Sequence, residues 1–78
     1  MALPLSKNDY DRVRKALTSG RVCPVIEWAM PNGDWLTVGI VPAPKAWAAG
    51  WIIRAERYTA GVYTSQYFDS VEAMIKYG

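Results

Sequence analysis

The tetrapeptide Pro-Asn-Gly-Asp at residues 31–34 is the feature that most restricts how this chain can fold. Asn-Gly tolerates the positive φ angles that a tight hairpin turn needs. Residues 22–30 before the turn alternate between two faces, and residues 35–41 after it form the returning strand. Proline donates no backbone hydrogen bond, so Pro24 predicts that the first strand is an edge strand or enters the sheet late.

Two helices are predicted outside the strands. The first covers residues 7–19, where Ser6 caps the helix and Asp9 stands at the third helical position. The second follows Asp69, which is predicted to cap it with Glu72 three residues on. The expected buried stripes are Tyr10, Val13 and Leu17 in the first helix, and Val71, Met74 and Ile75 in the second.

Two further strands are predicted at residues 51–58 and 62–68, joined by a turn at 59–61. The element order is therefore α-β-β-β-β-α. It predicts one small α+β domain over residues 1–78, with an antiparallel four-stranded sheet and both helices packed on one face. A chain of 78 residues buries little surface, so a homodimer or a host partner could supply part of the burial.

Composition excludes several kinds of chemistry. The chain has no histidine and one cysteine, which argues against a His-based catalytic site, a zinc site and a disulfide framework. Cys23 is expected to pack as a small buried hydrophobe. Glu27 and Glu56 could face each other as a two-carboxylate site, or could point to solvent and pair with Arg54 or Arg57. We expect a protein that is not an enzyme and holds no metal or cofactor.

The aromatic residues point to binding. Four Trp and five Tyr stand against one Phe, more large rings than a small core can bury. The predicted core rings are Trp28, Trp35 and Trp51. Trp47 lies in a Pro/Ala-rich connection, where it is either an exposed anchor or a lid over the core. Tyr63 and Tyr67 share one face of the fourth strand, where they either contact a partner or stabilise the sheet.

Arg54 and Arg57 lie among the aromatic residues of the third strand. Arginines between aromatic rings on a sheet suit single-stranded nucleic acid, although such charges also occur on an ordinary solvated face. The formal net charge of +2 does not distinguish a nucleic-acid-binding face from an ordinary solvated face.

The C-terminal stretch resembles two families. Residues 63–75 form a strand, Phe68-Asp69-Ser70 and an acidic-capped helix. This junction resembles that of a small type I-F anti-CRISPR protein, a phage-encoded inhibitor. The resemblance implies steric blocking of a host nuclease complex, with Tyr63 and Tyr67 contributing to binding. Residues 51–77 also resemble the arm-type DNA-binding domain of phage integrases, which carries more Lys and Arg on its sheet.

The leading functional hypothesis is a phage or mobile-element inhibitor that binds a host protein or protein complex in the bacterial cytoplasm. The expected contact residues are Trp47, Arg54, Arg57, Tyr63 and Tyr67. The alternative is a small DNA- or RNA-binding domain, and a third hypothesis is an assembly subunit of a larger complex. No signal peptide or transmembrane segment is expected.

Overall fold

The structure is a single antiparallel sheet with one helix before it and one after it. The computed structural model describes residues 5–45, 47 and 50–77. Within these residues the elements are α1 (Lys7–Leu17), β1 (Cys23–Ala29), β2 (Trp35–Pro42), β3 (Trp51–Thr59), β4 (Val62–Phe68) and α2 (Val71–Tyr77). The strands lie in the order β1-β2-β3-β4. The predicted α+β class and element order are confirmed, although the first helix ends at Leu17 rather than at residue 19.

The start of α1 is held by a reciprocal capping box. The hydroxyl of Ser6 accepts a hydrogen bond from the backbone N–H of Asp9, and the Asp9 carboxylate accepts one from the backbone N–H of Ser6. These bonds satisfy backbone donors that have no partner within the helix. Val13 on the same helix is fully buried, so the cap orients the face that closes the core.

The β1–β2 hairpin has the predicted turn. Gly33 has a φ angle of 95°, a region that glycine enters without a side-chain clash. The carboxylate of Asp34 accepts a hydrogen bond from the backbone N–H of Ala60, which links this turn to the β3–β4 turn. β1 is an edge strand, as Pro24 predicts, and its register with β2 shifts between Pro24 and Ile26.

The hydrophobic core lies between the helices and one face of the sheet. Strand alternation turns every second residue of β2 toward the helices. The buried members of the core are Val13, Ile26, Leu36, Val38, Ile40, Ile53, Ala55, Phe68, Val71 and Met74. Trp28 and Trp51 pack against this cluster, as predicted. Trp35 is not a core residue, because its odd position in β2 turns the ring to the opposite face.

Three other predictions about individual residues are wrong. Ser70 rather than Asp69 caps α2, since the Ser70 hydroxyl accepts the backbone N–H of Ala73 at 3.2 Å. Ile75 is 52% exposed, because α2 turns Val71 and Met74 toward the core instead. Cys23 is only half-buried, since it begins an edge strand.

The two helices also meet each other at the surface. A guanidinium nitrogen of Arg14 lies 3.1 Å from a carboxylate oxygen of Glu72. The pKa of Glu72 is lowered, first by a hydrogen bond from its own backbone N–H at the helix start and second by the hydrogen bond from Arg14. Neither of these helices, within the described residues, is long and apolar enough to span a membrane.

Replacing single side chains of α2 by alanine should have different effects on stability at its buried and its exposed face. Met74 is fully buried, so Met74→Ala should lower the free energy of unfolding by about 2–5 kcal/mol. Ile75→Ala removes an apolar side chain from the neighbouring exposed position and should change the free energy of unfolding by less than about 0.5 kcal/mol. Urea denaturation followed by circular dichroism measures both. Equal losses for the two variants would contradict the orientation of the helix.

The cap of α2 can be tested in the same way. Ser70→Ala should lower the free energy of unfolding by about 1 kcal/mol, because the backbone N–H of Ala73 loses its acceptor. Asp69→Ala should have the smaller effect. A larger loss of unfolding free energy for Asp69→Ala than for Ser70→Ala would show that Asp69, and not Ser70, caps α2.

Candidate functional site: the open face of the sheet

The face of the sheet that points away from α1 and α2, here called the open face, carries most of the accessible polar and aromatic strand residues. Leu36, Val38 and Ile40 point toward the helices, so the alternate residues of β2 point to the open face. The strand registers place the matching residues of β3 and β4 beside them. The central members of this face are Trp35, Thr37, Gly39, Arg54, Glu56, Tyr58, Tyr63, Ser65 and Tyr67.

An aromatic row crosses three strands at one end of the open face. Trp35 of β2 is opposite Tyr58 of β3, which is opposite Tyr63 of β4. The Trp35 and Tyr58 rings are stacked, with centroids 6.3 Å apart and an angle of 10° between their planes. The Trp35 and Tyr63 centroids are 5.9 Å apart with tilted planes. Contacts between the rings hold the row in one arrangement.

A polar network adjoins this row. The Tyr63 hydroxyl donates a 2.6 Å hydrogen bond to the Glu56 carboxylate, and the Arg54 guanidinium lies 3.4 Å from the same oxygen. The pKa of Arg54 is raised above its ordinary value, first by its hydrogen bond with Tyr63 and second by the negative charge of Glu56. The Arg54 guanidinium is positively charged, as in any arginine, and Glu56 lies close enough to offset that charge.

A hollow of about 210 Å³ opens beside Arg54. Gly39, directly opposite Arg54 in the register, contributes no side chain to its floor. A Cβ atom at residue 39 would lie 3.1 Å from the backbone oxygen of Cys23. Pro24 and Glu56 also line the hollow, which therefore joins the irregular start of β1 to the polar network.

The other end of the open face is covered. Ile52 points away from the helices and is nevertheless fully buried. At this end the β2–β3 connection closes with a hydrogen bond from the backbone N–H of Ala43 to the carbonyl of Gly50. Trp47 lies in this connection and is half-buried. This burial is intermediate between that of an exposed anchor and that of a lid over the core, the two predicted alternatives. The accessible part of the open face thus runs from the Arg54 hollow to the aromatic row.

The structure brings together three of the five predicted contact residues. Arg54, Tyr63 and Tyr67 share the open face, and Tyr67 is directly opposite Arg54. Arg57 does not join them, since its odd position in β3 turns it toward the helix side. There its Nε atom donates to the Thr59 hydroxyl. Arg54 and Arg57 therefore lie on opposite faces of the sheet.

Trp35 and Tyr58 lie on the open face but are not among the predicted contact residues. Both were visible in the alternation, because Trp35 is out of phase with the apolar residues of β2. Tyr58 is likewise out of phase with Ile53 and Ala55 in β3. The signal in the sequence was the alternation of side chains along each strand. Trp35 is apolar, and for that reason it was assigned to the core although the alternation places it on the other face.

The two strand carboxylates do not face each other directly. Thr37 of β2 lies between Glu27 and Glu56 in the register. Glu56 instead pairs with Arg54, in agreement with the alternative prediction that these carboxylates form ion pairs with nearby arginines. In the described part of the chain, no group of three or more His, Cys, Asp and Glu side chains could hold a metal ion.

No protein-family model, curated protein or solved structure matches the chain.

The close approach at Gly39 gives a stability test of the hollow. Gly39→Ala should lower the free energy of unfolding by about 1–3 kcal/mol, because the new methyl group meets a backbone carbonyl that is fixed in the sheet. Gly50→Ala is the matched control, since no atom lies within 4 Å of a Cβ built there. Thermal unfolding measures both, and an unchanged midpoint for Gly39→Ala would contradict the described approach of β1.

Proposed function

We propose that this chain is a non-enzymatic binding protein and that the open face of its sheet docks on a partner protein. The observation that supports this most is the aromatic row, in which the Trp35 ring contacts the rings of Tyr58 and Tyr63 on a face that the helices leave uncovered. Tyr and Trp provide large contact areas with few rotatable bonds. Rings that already hold one another lose little further freedom on binding, which favours affinity.

The charge of the open face favours a protein partner over a nucleic acid. Its strand positions include one cation, Arg54, and two carboxylates, Glu27 and Glu56. Nucleic-acid affinity depends on several cations that neutralise phosphates. A protein interface instead suits a mixture of aromatic rings and one arginine held by a carboxylate. The nucleic-acid hypothesis is therefore the second candidate.

The specific form of the proposal is an inhibitor of a host protein complex in the bacterial cytoplasm, such as a CRISPR–Cas effector. It is supported by the resemblance of residues 63–75 to a type I-F anti-CRISPR protein. In this form the chain acts sterically, and Tyr63 and Tyr67 on the open face contact the effector.

The test compares alternate residues of one strand. The double variant Tyr63→Ala/Tyr67→Ala removes two rings from the open face. The control double variant Thr64→Ala/Gln66→Ala makes the same number of changes on the opposite face of β4. Binding to a purified type I-F effector complex is measured by biolayer interferometry. The tyrosine variant should lose about 2 kcal/mol or more of binding free energy, roughly thirtyfold in affinity. The control variant should bind as the unchanged chain does.

Circular dichroism must show that both variants are folded. Unchanged affinity of a folded tyrosine variant would contradict the open face as the docking surface. No binding of the unchanged chain to the effector would remove the anti-CRISPR form of the proposal. A gel-shift titration with single- and double-stranded DNA tests the second candidate. A complex that weakens steeply with salt would favour the nucleic-acid hypothesis over a protein partner.

A further inference from the structure

The outer edge of β4 differs from the outer edge of β1. β1 and β4 are the two edge strands of the sheet in the described residues. β1 begins near Pro24, shifts register before Ile26 and carries Glu27, features that discourage pairing with another strand. Val62–Phe68 pairs with β3 without a register shift, and its sequence VYTSQYF has no charge, proline or glycine. The β4 edge therefore lacks the usual protection.

We propose that two copies of this chain pair through their β4 strands, antiparallel across a two-fold axis at Ser65. Such pairing would join the two sheets into one continuous sheet. The protected β1 edges would remain outside, so the assembly closes as a dimer rather than growing into a fibre.

The sequence of β4 is self-complementary in this register. Ser65 is its central residue, so the axis at Ser65 pairs all seven residues of the strand. Thr64 would lie opposite the partner's Gln66, and Tyr63 opposite the partner's Tyr67. Residues directly opposite each other in an antiparallel pair point to the same face, and these pairs satisfy that condition. No like charges meet anywhere along the strand.

The helix side of β4 also has apolar surface left for a second copy to cover. A groove of about 340 Å³ lies there, with Ala55, Val62, Phe68 and Tyr77 among its lining residues. Val62 at the start of β4 is 60% exposed. In the proposed register Val62 lies opposite the partner's Phe68, after which the partner's α2 begins. The second copy thus brings a helix to the open end of this groove.

The open-face rings gain a neighbour in the dimer. The partner's Tyr67 would lie next to Tyr63, which extends the row of Trp35, Tyr58 and Tyr63 across the axis. The dimer does not depend on the proposed function, because it concerns the purified chain alone. It would present two open faces on one side of a single sheet.

Analytical ultracentrifugation across a concentration series tests the stoichiometry. The unchanged chain should sediment at twice its mass of 8.7 kDa, with dissociation at low concentration. A monomer at every concentration would overturn the proposal. Species that grow beyond a dimer with concentration would overturn it too, since a two-fold pairing of β4 closes at two copies.

A pair of charge variants tests the register. Thr64→Lys with Gln66→Lys puts like charges opposite each other on both sides of the axis and should give a monomer. Thr64→Lys with Gln66→Glu puts opposite charges at the same places and should remain a dimer. Both variants must show the unchanged circular dichroism spectrum. A folded Lys/Lys variant that stays dimeric would overturn pairing through β4, and so would a folded Lys/Glu variant that is monomeric.

Cross-linking tests the position of the axis. In a background with Cys23→Ser, Ser65→Cys places two thiols directly opposite each other and should form a disulfide-linked dimer under mild oxidation. Val62→Cys is the control, because its two thiols would lie near opposite ends of the paired strands. Equal cross-linking of the two variants, or none for Ser65→Cys, would overturn the register.

Discussion

The structure depends on burying one apolar face of the sheet beneath two short helices. Leu36, Val38 and Ile40 of β2 and Ile53 of β3 are almost completely buried, and Val13 and Met74 cover them from the helices. Burial of such side chains is the main favourable contribution to folding a small domain. Because both helices pack on this one face, they leave the opposite face of the central strands uncovered, and beyond Ile52 that face carries polar and aromatic residues.

That uncovered face explains why the aromatic residues have two different roles. Trp28 and Trp51 pack against the core, whereas on the open face the Trp35 ring contacts the rings of Tyr58 and Tyr63. These ring contacts stabilise neighbouring strands, and they would also give the proposed partner a rigid surface. Arg54, Glu56 and Tyr63 add polar groups that hold one another in place. Fold stability and the proposed binding function therefore use the same contacts.

Local signals predicted most of the fold. The Asn32-Gly33 turn, the Ser6 cap and strand alternation depend on neighbouring residues, so they are readable without tertiary contacts. The errors arose where a choice depended on packing. Asp69 and Ser70 can both cap a helix, and the structure uses Ser70. Ile75 and Met74 are both apolar, but the approach of α2 to the sheet buries only Met74.

The sequence by itself determined the element order, the antiparallel connections and the presence of more aromatic surface than the core needs, because these follow from short-range patterns and composition. Only the tertiary structure decided which residues of different strands lie side by side. Strand register placed Gly39 opposite Arg54 and joined Trp35 to Tyr58 and Tyr63. Register depends on side-chain packing between residues that are distant in the chain, and a shift of one residue would reverse every face.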